Sequence, residues 1–411
     1  MPERLKNATA IVKQLQDAGF VAYFAGGWVR DFLMKHPSDD IDIATAANVE
    51  EVKALFPKTI PVGVAFGILI VVQNGHQFEV ASFRKDRGYV DGRRPTGIDP
   101  ATPEEDVQRR DFTINGMFFD PITEVIYDYV EGNEDIQKRI IRAIGNADER
   151  FSEDRLRMMR AVRYSTRFGF PIEEDTLNAI RAHASDLIPA VAMERIWQEF
   201  KKMSRFAHFD AGLILLHELG LLPAIFSDLK GVTVAEIQSR VQHIEKFPEG
   251  SPTFAELLEL FPKHDLDQIY ALSDYLKLSN KEKAFAKFYH HARTLFSMPD
   301  EWLEKLEKIE WALFYADPFS DIGLKMIVAK QKNPQDFLER EKKRQESLHK
   351  HIERIRNKDP YVRAEHLIKE GVLPGKKMGD LLDEAMRIAV NHDITDSGEL
   401  IARLKQSPLW T

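Results

Sequence analysis

Asp40 and Asp42 stand two residues apart in Asp40-Ile41-Asp42. Side chains alternate between the faces of a strand, so carboxylates at this spacing project to one side. Oxygen ligands so placed suit a hard cation such as Mg²⁺, which keeps several waters and is completed by substrate phosphates. Two such ions would serve an in-line displacement, one at the attacking hydroxyl and one at the leaving group. Glu79, in Phe78-Glu79-Val80-Ala81, is a candidate third carboxylate, although a solvent-facing strand position explains it as well. A plain turn after Pro37-Ser38 is the simpler reading of an isolated Asp39-Asp40.

The upstream run Gly26-Gly27-Trp28-Val29-Arg30-Asp31 gives that pair a context. Gly26 and Gly27 let backbone approach phosphate, and the amides that open the next helix favour an anion. Arg30, one turn on, carries a planar fork that matches phosphate oxygens. Arg109 and Arg110 add charge for a triphosphate, and Asp111 can contact a sugar or orient an arginine. Together these groups fit nucleotidyl transfer.

Asp154 and Arg157, in Glu153-Asp154-Arg155-Leu156-Arg157, share a face if both lie on one helix. An intrahelical ion pair behind a Ser152 N-cap would produce the same spacing. Read chemically, they offer an acceptor and a donor fork at fixed separation, an edge that takes cytosine and adenine and refuses uracil and guanine. Arg160 and Arg163 follow along the helix and can hold phosphate or RNA. His264-Asp265, His392-Asp393 and His290-His291 have no converging partners at ligand spacing and read as incidental.

The elements that must position these residues alternate over the first 130 or so positions. Helices are expected at 3–18 and 28–34, and strands at 21–25, 40–44, 66–73, 76–83 and 124–129. The run at 66–73 is nearly continuous in apolar residues and is expected to be buried. From Arg84 to Asp106 periodicity stops in a glycine- and charge-rich stretch, read as a long loop of the kind that is functional or disordered. Beyond about residue 132 only helical patterns remain: 152–167, 173–184, 191–203, 208–218, 254–275, 280–295, 300–315, 334–357 and 376–390. The expected fold is an α/β nucleotidyltransferase head, a small mixed sheet with helices, followed by an elongated all-α extension. The expected divisions are a head over 1–135, a neck over 136–205 carrying the nucleotide-selecting helix, a body over 206–300 and a tail over 301–411.

At 411 residues, with 44% apolar and 30% charged residues, the chain reads as a soluble protein of several domains. It has no cysteine, which excludes disulfides, thiolate zinc sites and iron–sulfur clusters. No apolar run of about 18 residues and no signal-peptide pattern is found, so a cytoplasmic location away from membranes is expected. The net charge of −8 hides local asymmetry, because nine Lys/Arg face four Asp/Glu between Lys138 and Arg167. A second basic patch, Arg84 to Arg94, holds Tyr89. Local charge, not the total, is what a phosphate backbone meets.

In this order the segments resemble the bacterial class II tRNA nucleotidyltransferases, the CCA-adding enzymes, and their relatives the bacterial poly(A) polymerases. The resemblance is densest over 20–165. It continues through Met193-Glu-Arg-Ile-Trp-Gln-Glu-Phe200, Gly220-Leu-Leu-Pro223 and the Leu373-Pro-Gly-Lys-Lys-Met-Gly-Asp-Leu-Leu382 tail. It implies a head, neck, body and tail, two Mg²⁺ ions on Asp40 and Asp42, and Asp154 with Arg157 as a protein template for CTP and then ATP. It further implies a tRNA acceptor arm held by body and tail, where the helix Arg340–Arg356 is basic, with no obligate protein partner evident. Relatives that add only CC lack the loop after the arginine-ended strand. Here Arg84 to Pro95 is complete, which favours full CCA addition. An A-adding enzyme, a poly(A) polymerase, an idle RNA-binding protein and an enzyme that modifies a small molecule such as an antibiotic remain the alternatives.

Overall fold

The computed structural model describes residues 2–36, 38–89 and 95–410. The chain divides into two compact units, Met1–Gln242 and His243–Thr411. The first begins with α1 (Glu3–Asp17), β1 (Ala22–Ala25), α2 (Gly27–Leu33), β2 (Asp42–Thr45), α3 (Val49–Leu55), β3 (Thr59–Gly63), β4 (Ile68–Gln73) and β5 (His76–Ser82). Then come β6 (Arg84–Tyr89), β7 (Pro95–Pro100), α4 (Pro103–Val107), β8 (Met117–Asp120), β9 (Val125–Asp128) and α5 (Gly132–Lys138). Seven strands form one mixed sheet in the order β3-β4-β5-β2-β1-β8-β9, in which only β2 and β5 run parallel.

Alternation along the strands fills both faces. Ile11, Val12 and Leu15 of α1 pack with Phe24, Ile43, Phe78 and Val80 in one core. Ala25, Ala44, Phe83, Val107, Phe118 and Ile144 form a second, smaller core. In β4 only Leu69 and Val71 are fully buried, which corrects the expectation of a strand buried on both sides. The alternate residues Ile68, Ile70 and Val72 are half-buried, and the neighbouring β3 is the sheet edge, with Ile60 and Val62 exposed.

The stretch expected to be an irregular loop from Arg84 to Asp106 is largely ordered. Strands β6 and β7 pair antiparallel as a separate ribbon, Arg84 opposite Pro100 and Arg87 opposite Gly97. Thr102 then starts α4 with a capping box to Glu105. The part of that loop over 90–94 lies outside the described residues.

From there the first unit is helical: α6 (Ala147–Glu153), α7 (Leu156–Phe168), α8 (Glu174–His183), α9 (Leu187–Ala190), α10 (Met193–Met203), α11 (Phe209–Glu218), α12 (Leu221–Ile225) and α13 (Val234–Val241). The helix expected over 152–167 is therefore two helices. Asp154 breaks them with an extended backbone, φ −144° and ψ 101°, and its Oδ1 accepts the Leu156 amide at 3.1 Å. A short acid that satisfies a helix-start N–H favours a new start over continuation. Ser152 lies inside α6 and caps nothing.

The second unit contains α14 (Thr253–Leu257), α15 (Leu266–Tyr275), α16 (Asn280–Leu295), α17 (Asp300–Leu303), α18 (Lys308–Ala316), α19 (Ser320–Val328) and α20 (Pro334–Arg356). It ends with α21 (Ala364–Lys369), α22 (Lys376–His392) and α23 (Ser397–Leu404). The helix expected over 254–275 is interrupted at 261–265, where Pro262 can neither donate to the ladder nor let Phe261 stay helical. That expected over 300–315 breaks before Glu307, whose side chain caps α18 with Glu310. The basic helix α20 is charge-balanced. Each of its Lys and Arg residues from 340 to 356 has a partner in the chain, such as Lys343–Glu339 at 2.8 Å, Lys350–Asp393 at 2.6 Å and Arg354–Asp359 at 2.9 Å.

Candidate active site

Backbone pairing brings the carboxylates and the glycine turn together. Ala25 lies opposite Asp42 across β1 and β2, so Gly26 leaves its strand beside that carboxylate. Parallel pairing of Ile43 with Val80 places Glu79 one step back on β5, next to Asp42. The strand starts at Asp42, so Asp40 belongs to the segment that enters it rather than to the ladder. Burial, then the charges of Glu79 and Asp40, push the Asp42 carboxyl up to about 7, and Arg110 alone pulls it down. Desolvation and the Asp40 charge push Glu79 up as well, opposed by Arg84. Oxygen donors whose negative charge the protein leaves under-compensated fit a hard divalent cation.

Gly26 has φ +67°, a conformation that L side chains rarely adopt, and the Arg110 guanidinium lies 3.5 Å from where a Cβ would stand. One buried carboxylate holds both arginines of the Arg109-Arg110 pair. Asp106, 1% exposed, accepts from Arg109 at 2.6 and 2.9 Å on Oδ1 and from Arg110 at 2.9 and 3.1 Å on Oδ2. It also accepts the Arg84 amide at 3.2 Å, which ties the ribbon to this clamp. Burial alone would raise Asp106, but the two guanidiniums bring it below the usual range.

Arg30 is buried, and its fork donates to Asp31 Oδ1 at 2.7 and 2.9 Å and to Asn115. It lies over the rings of Tyr164 and Phe168. Asp111 accepts from its own neighbour's amide, from Asn115 and from Arg160. Desolvation would raise it, but Arg160, Asn115 and Arg157 hold it well below the usual carboxylate range. Arg163 donates to buried Glu199 of α10 at 2.6 Å.

Asp154 and Arg157 are not paired to each other. Asp154 Oδ2 accepts from Arg195 at 2.7 Å, while Arg157 bridges Glu153 at 2.6 Å and the Arg109 carbonyl at 2.7 Å. The break between α6 and α7 separates them, so the reading of one shared helix face is corrected. Both still line the same cleft of about 920 Å³, with Gly26, Gly27, Arg30, Asp40, Asp42, Arg109, Arg110, Asp111, Arg160 and Arg163. Glu79 does not line it.

Sequence reasoning gave no role to Asp106, Asn115, Glu153, Tyr164, Arg195 or Glu199. Asp106 was accessible, since it lies three and four residues before the two arginines on a turn with a capping signal. Arg195 is 41 residues from its partner, and no local pattern reports such a pairing.

Residues 22–142 match the family model of the poly A polymerase head domain. Residues 169–232 match that of the probable RNA and SrmB-binding site of polymerase A. A CCA-adding enzyme of Streptococcus pneumoniae is 31% identical over 410 residues, covering 98% of this chain and 97% of that protein. One from Bacillus cytotoxicus is 46% identical over 220 residues, 53% of this chain, and that match spans about half of the relative, 55%. Among solved structures, the Bacillus stearothermophilus CCA-adding enzyme in complex with CTP superposes with a TM-score of 0.80 at 29% identity, over 99% of each chain. The Thermotoga maritima enzyme in complex with tRNA shares the fold at a TM-score of 0.67 and 20% identity, over 99% of this chain and 96% of that one. A mixed-sheet head with this cleft, followed by helices along the whole length of such relatives, belongs to the CCA-adding enzyme family of tRNA nucleotidyltransferases.

Proposed function

We propose that the chain adds C, C and A to the 3′ end of tRNA from CTP and ATP, without a nucleic-acid template, by in-line transfer that releases pyrophosphate. The supporting observation is the shared cleft, in which Asp40 and Asp42 face arginines and the Asp154–Arg157 region. Asp40 and Asp42, with Glu79 beside Asp42 on the next strand, would hold two Mg²⁺ ions. When bound, such ions lower the pKa of the attacking 3′ hydroxyl and neutralise the leaving pyrophosphate. The remaining work falls to positioning and electrostatics, as phosphoryl-type transfer requires.

Gly26 and Gly27 admit the triphosphate close to backbone, and Arg110, clamped by Asp106, supplies charge beside it. Arg30 has its fork engaged by Asp31 and Asn115, so in this reading it anchors the turn and adds field rather than a direct fork. Asp111 and Arg160 form a fixed pair beside the sugar. Asp154 accepts the exocyclic amino group of cytosine or adenine and Arg157 donates to the adjoining ring acceptor. Arg163 is buried against Glu199, so in this reading it holds α10 behind the cleft wall rather than reaching the RNA. Head, neck, body and tail boundaries near 135, 205 and 300 follow from the same reading, with the tRNA acceptor arm lying along the helical part in the cytoplasm. No helix among the described residues is long and apolar enough to cross a membrane.

A tRNA transcript lacking its last three nucleotides, given CTP, ATP and Mg²⁺, tests the reading. It gains three nucleotides with the native chain and none with Asp42→Asn. Full extension by Asp42→Asn would remove the metal assignment, and binding of the transcript without incorporation would favour an idle RNA-binding protein.

A further inference from the structure

Helix α10 presents a polar stripe, Arg195, Glu199 and Lys202, at spacings of four and three, while Ile196, Trp197, Phe200 and Met203 are buried. Two of these residues reach across to the α6–α7 segment. Glu199 takes Arg163 at 2.6 Å, and Arg195 takes Asp154 at 2.7 Å. Arg195 and Lys202 both line the cleft that holds Asp42 and Arg157.

The Asp154 carboxylate is thus held at both oxygens. The Leu156 amide binds Oδ1 at 3.1 Å and the Arg195 guanidinium binds Oδ2 at 2.7 Å. Each carboxylate oxygen accepts about two hydrogen bonds, so one acceptor site per oxygen stays open to a ligand. Two donors on different elements fix the plane of the group, whereas the backbone amide alone leaves it free to turn. Asp154 sits in a helix break with extended backbone, and its own amide and carbonyl are tied to Arg150 and Arg157, which leaves only the side-chain torsion for these two donors to set.

We infer that Arg195 is a positioning residue for nucleotide choice: it aims the Asp154 carboxylate at the exocyclic amino group of the incoming base. The inference rests on the proposed base-reading role of Asp154. Arg195 touches no reacting atom, and its action passes through Asp154. A base without that amino group, uracil, then meets an acceptor that cannot turn away. With Arg195 gone the carboxylate relaxes and the penalty against UTP shrinks.

The test uses the full chain, a tRNA transcript ending before CCA, and CTP, UTP or ATP as separate probes. Arg195→Met keeps the length of the side chain and removes its donors. Losing one charge-assisted hydrogen bond to a selecting group is expected to lower CTP-over-UTP discrimination by about tenfold or more. KM for CTP and ATP should rise more than kcat falls, because base contacts act on ground and transition states alike. Arg195→Lys should restore part of the discrimination. The double variant Arg195→Met/Asp154→Ala should discriminate no worse than Asp154→Ala alone, since the two groups act as one unit. Unchanged discrimination in Arg195→Met, or additive losses in the double variant, overturns the inference. So does an equal loss of kcat/KM for CTP and UTP. If Arg195→Met fails to fold, Arg195→Lys and Arg195→Gln carry the same comparison. A native chain that adds no nucleotide would instead defeat the proposed function itself.

Discussion

The buried carboxyl of Glu256 makes the stability of the second unit fall as pH rises. It lies on α14 in the second unit, 7% exposed, and its Oε2 has no hydrogen-bond partner. Burial raises its carboxyl from 4.5 to about 8, with no neighbouring cation pulling it back. Below pH 4.5 the folded and unfolded chains both carry the proton, and the group contributes nothing to pH dependence. Between 4.5 and 8 the unfolded chain gives the proton up while the folded chain keeps it, so stability falls as pH rises. At 1.36 kcal/mol per pKa unit the full window amounts to about 4 to 5 kcal/mol. Glu256→Gln has nearly the same shape and does not titrate, so this part of the slope disappears. The variant should match the native chain near pH 5 and exceed it by several kcal/mol at pH 8, by the same linkage. Two units need not unfold in one step, so the assay is native-state hydrogen exchange of peptides from 253–295 at pH 5, 6.5 and 8. Parallel pH profiles for the two chains would rule out Glu256 as the titrating group.

Asp106→Asn removes the charge that holds Arg109 and Arg110. It should lower kcat/KM for CTP and ATP alike, by about 100-fold if near 3 kcal/mol of triphosphate interaction goes with it; a loss confined to one nucleotide would contradict its place beside the triphosphate. Gly26→Ala forces a side chain into φ +67° against Arg110, and is expected to cost about 1 to 3 kcal/mol in thermal unfolding as well as activity. Glu199→Ala leaves Arg163 buried without its 2.6 Å partner, with an expected loss of about 3 to 5 kcal/mol in denaturant titration; replacing both residues by apolar ones should recover much of it.

Long, strongly patterned elements were legible in the sequence. Helix α16 spans the expected residues, and α1, α10, α11 and α20 depart from expectation by one or two. Strand β8 was missed, because Met117–Asp120 is a four-residue run buried throughout and too short to show a period. The ribbon β6–β7 was missed because charged, glycine-containing strands that form their own small sheet have no apolar face to alternate. At the site, spacing picked out Asp42 and the Gly26-Gly27 turn, which the pairing of β1 with β2 carries to the cleft, and Arg110, which lies between α4 and β8 and is held there by Asp106. It misjudged Asp154 and Arg157 because an aspartate that starts a second helix has the same spacing as one inside a single helix. Arg195 was out of reach for a different reason: its contact exists only after α10 has packed against α7.

The proposed function is addition of a defined triplet, with protein groups reading the base. The most direct measurement follows labelled CTP and ATP, separately and together, on tRNA transcripts ending before CCA, after C and after CC. With CTP alone, two C additions and then a stop are expected. With ATP alone, one A is expected on the CC-ending transcript, and with both, every transcript is completed. Addition of A only to the CC-ending transcript, with CTP unused on the others, or continued A addition into a tail, would contradict the proposed function.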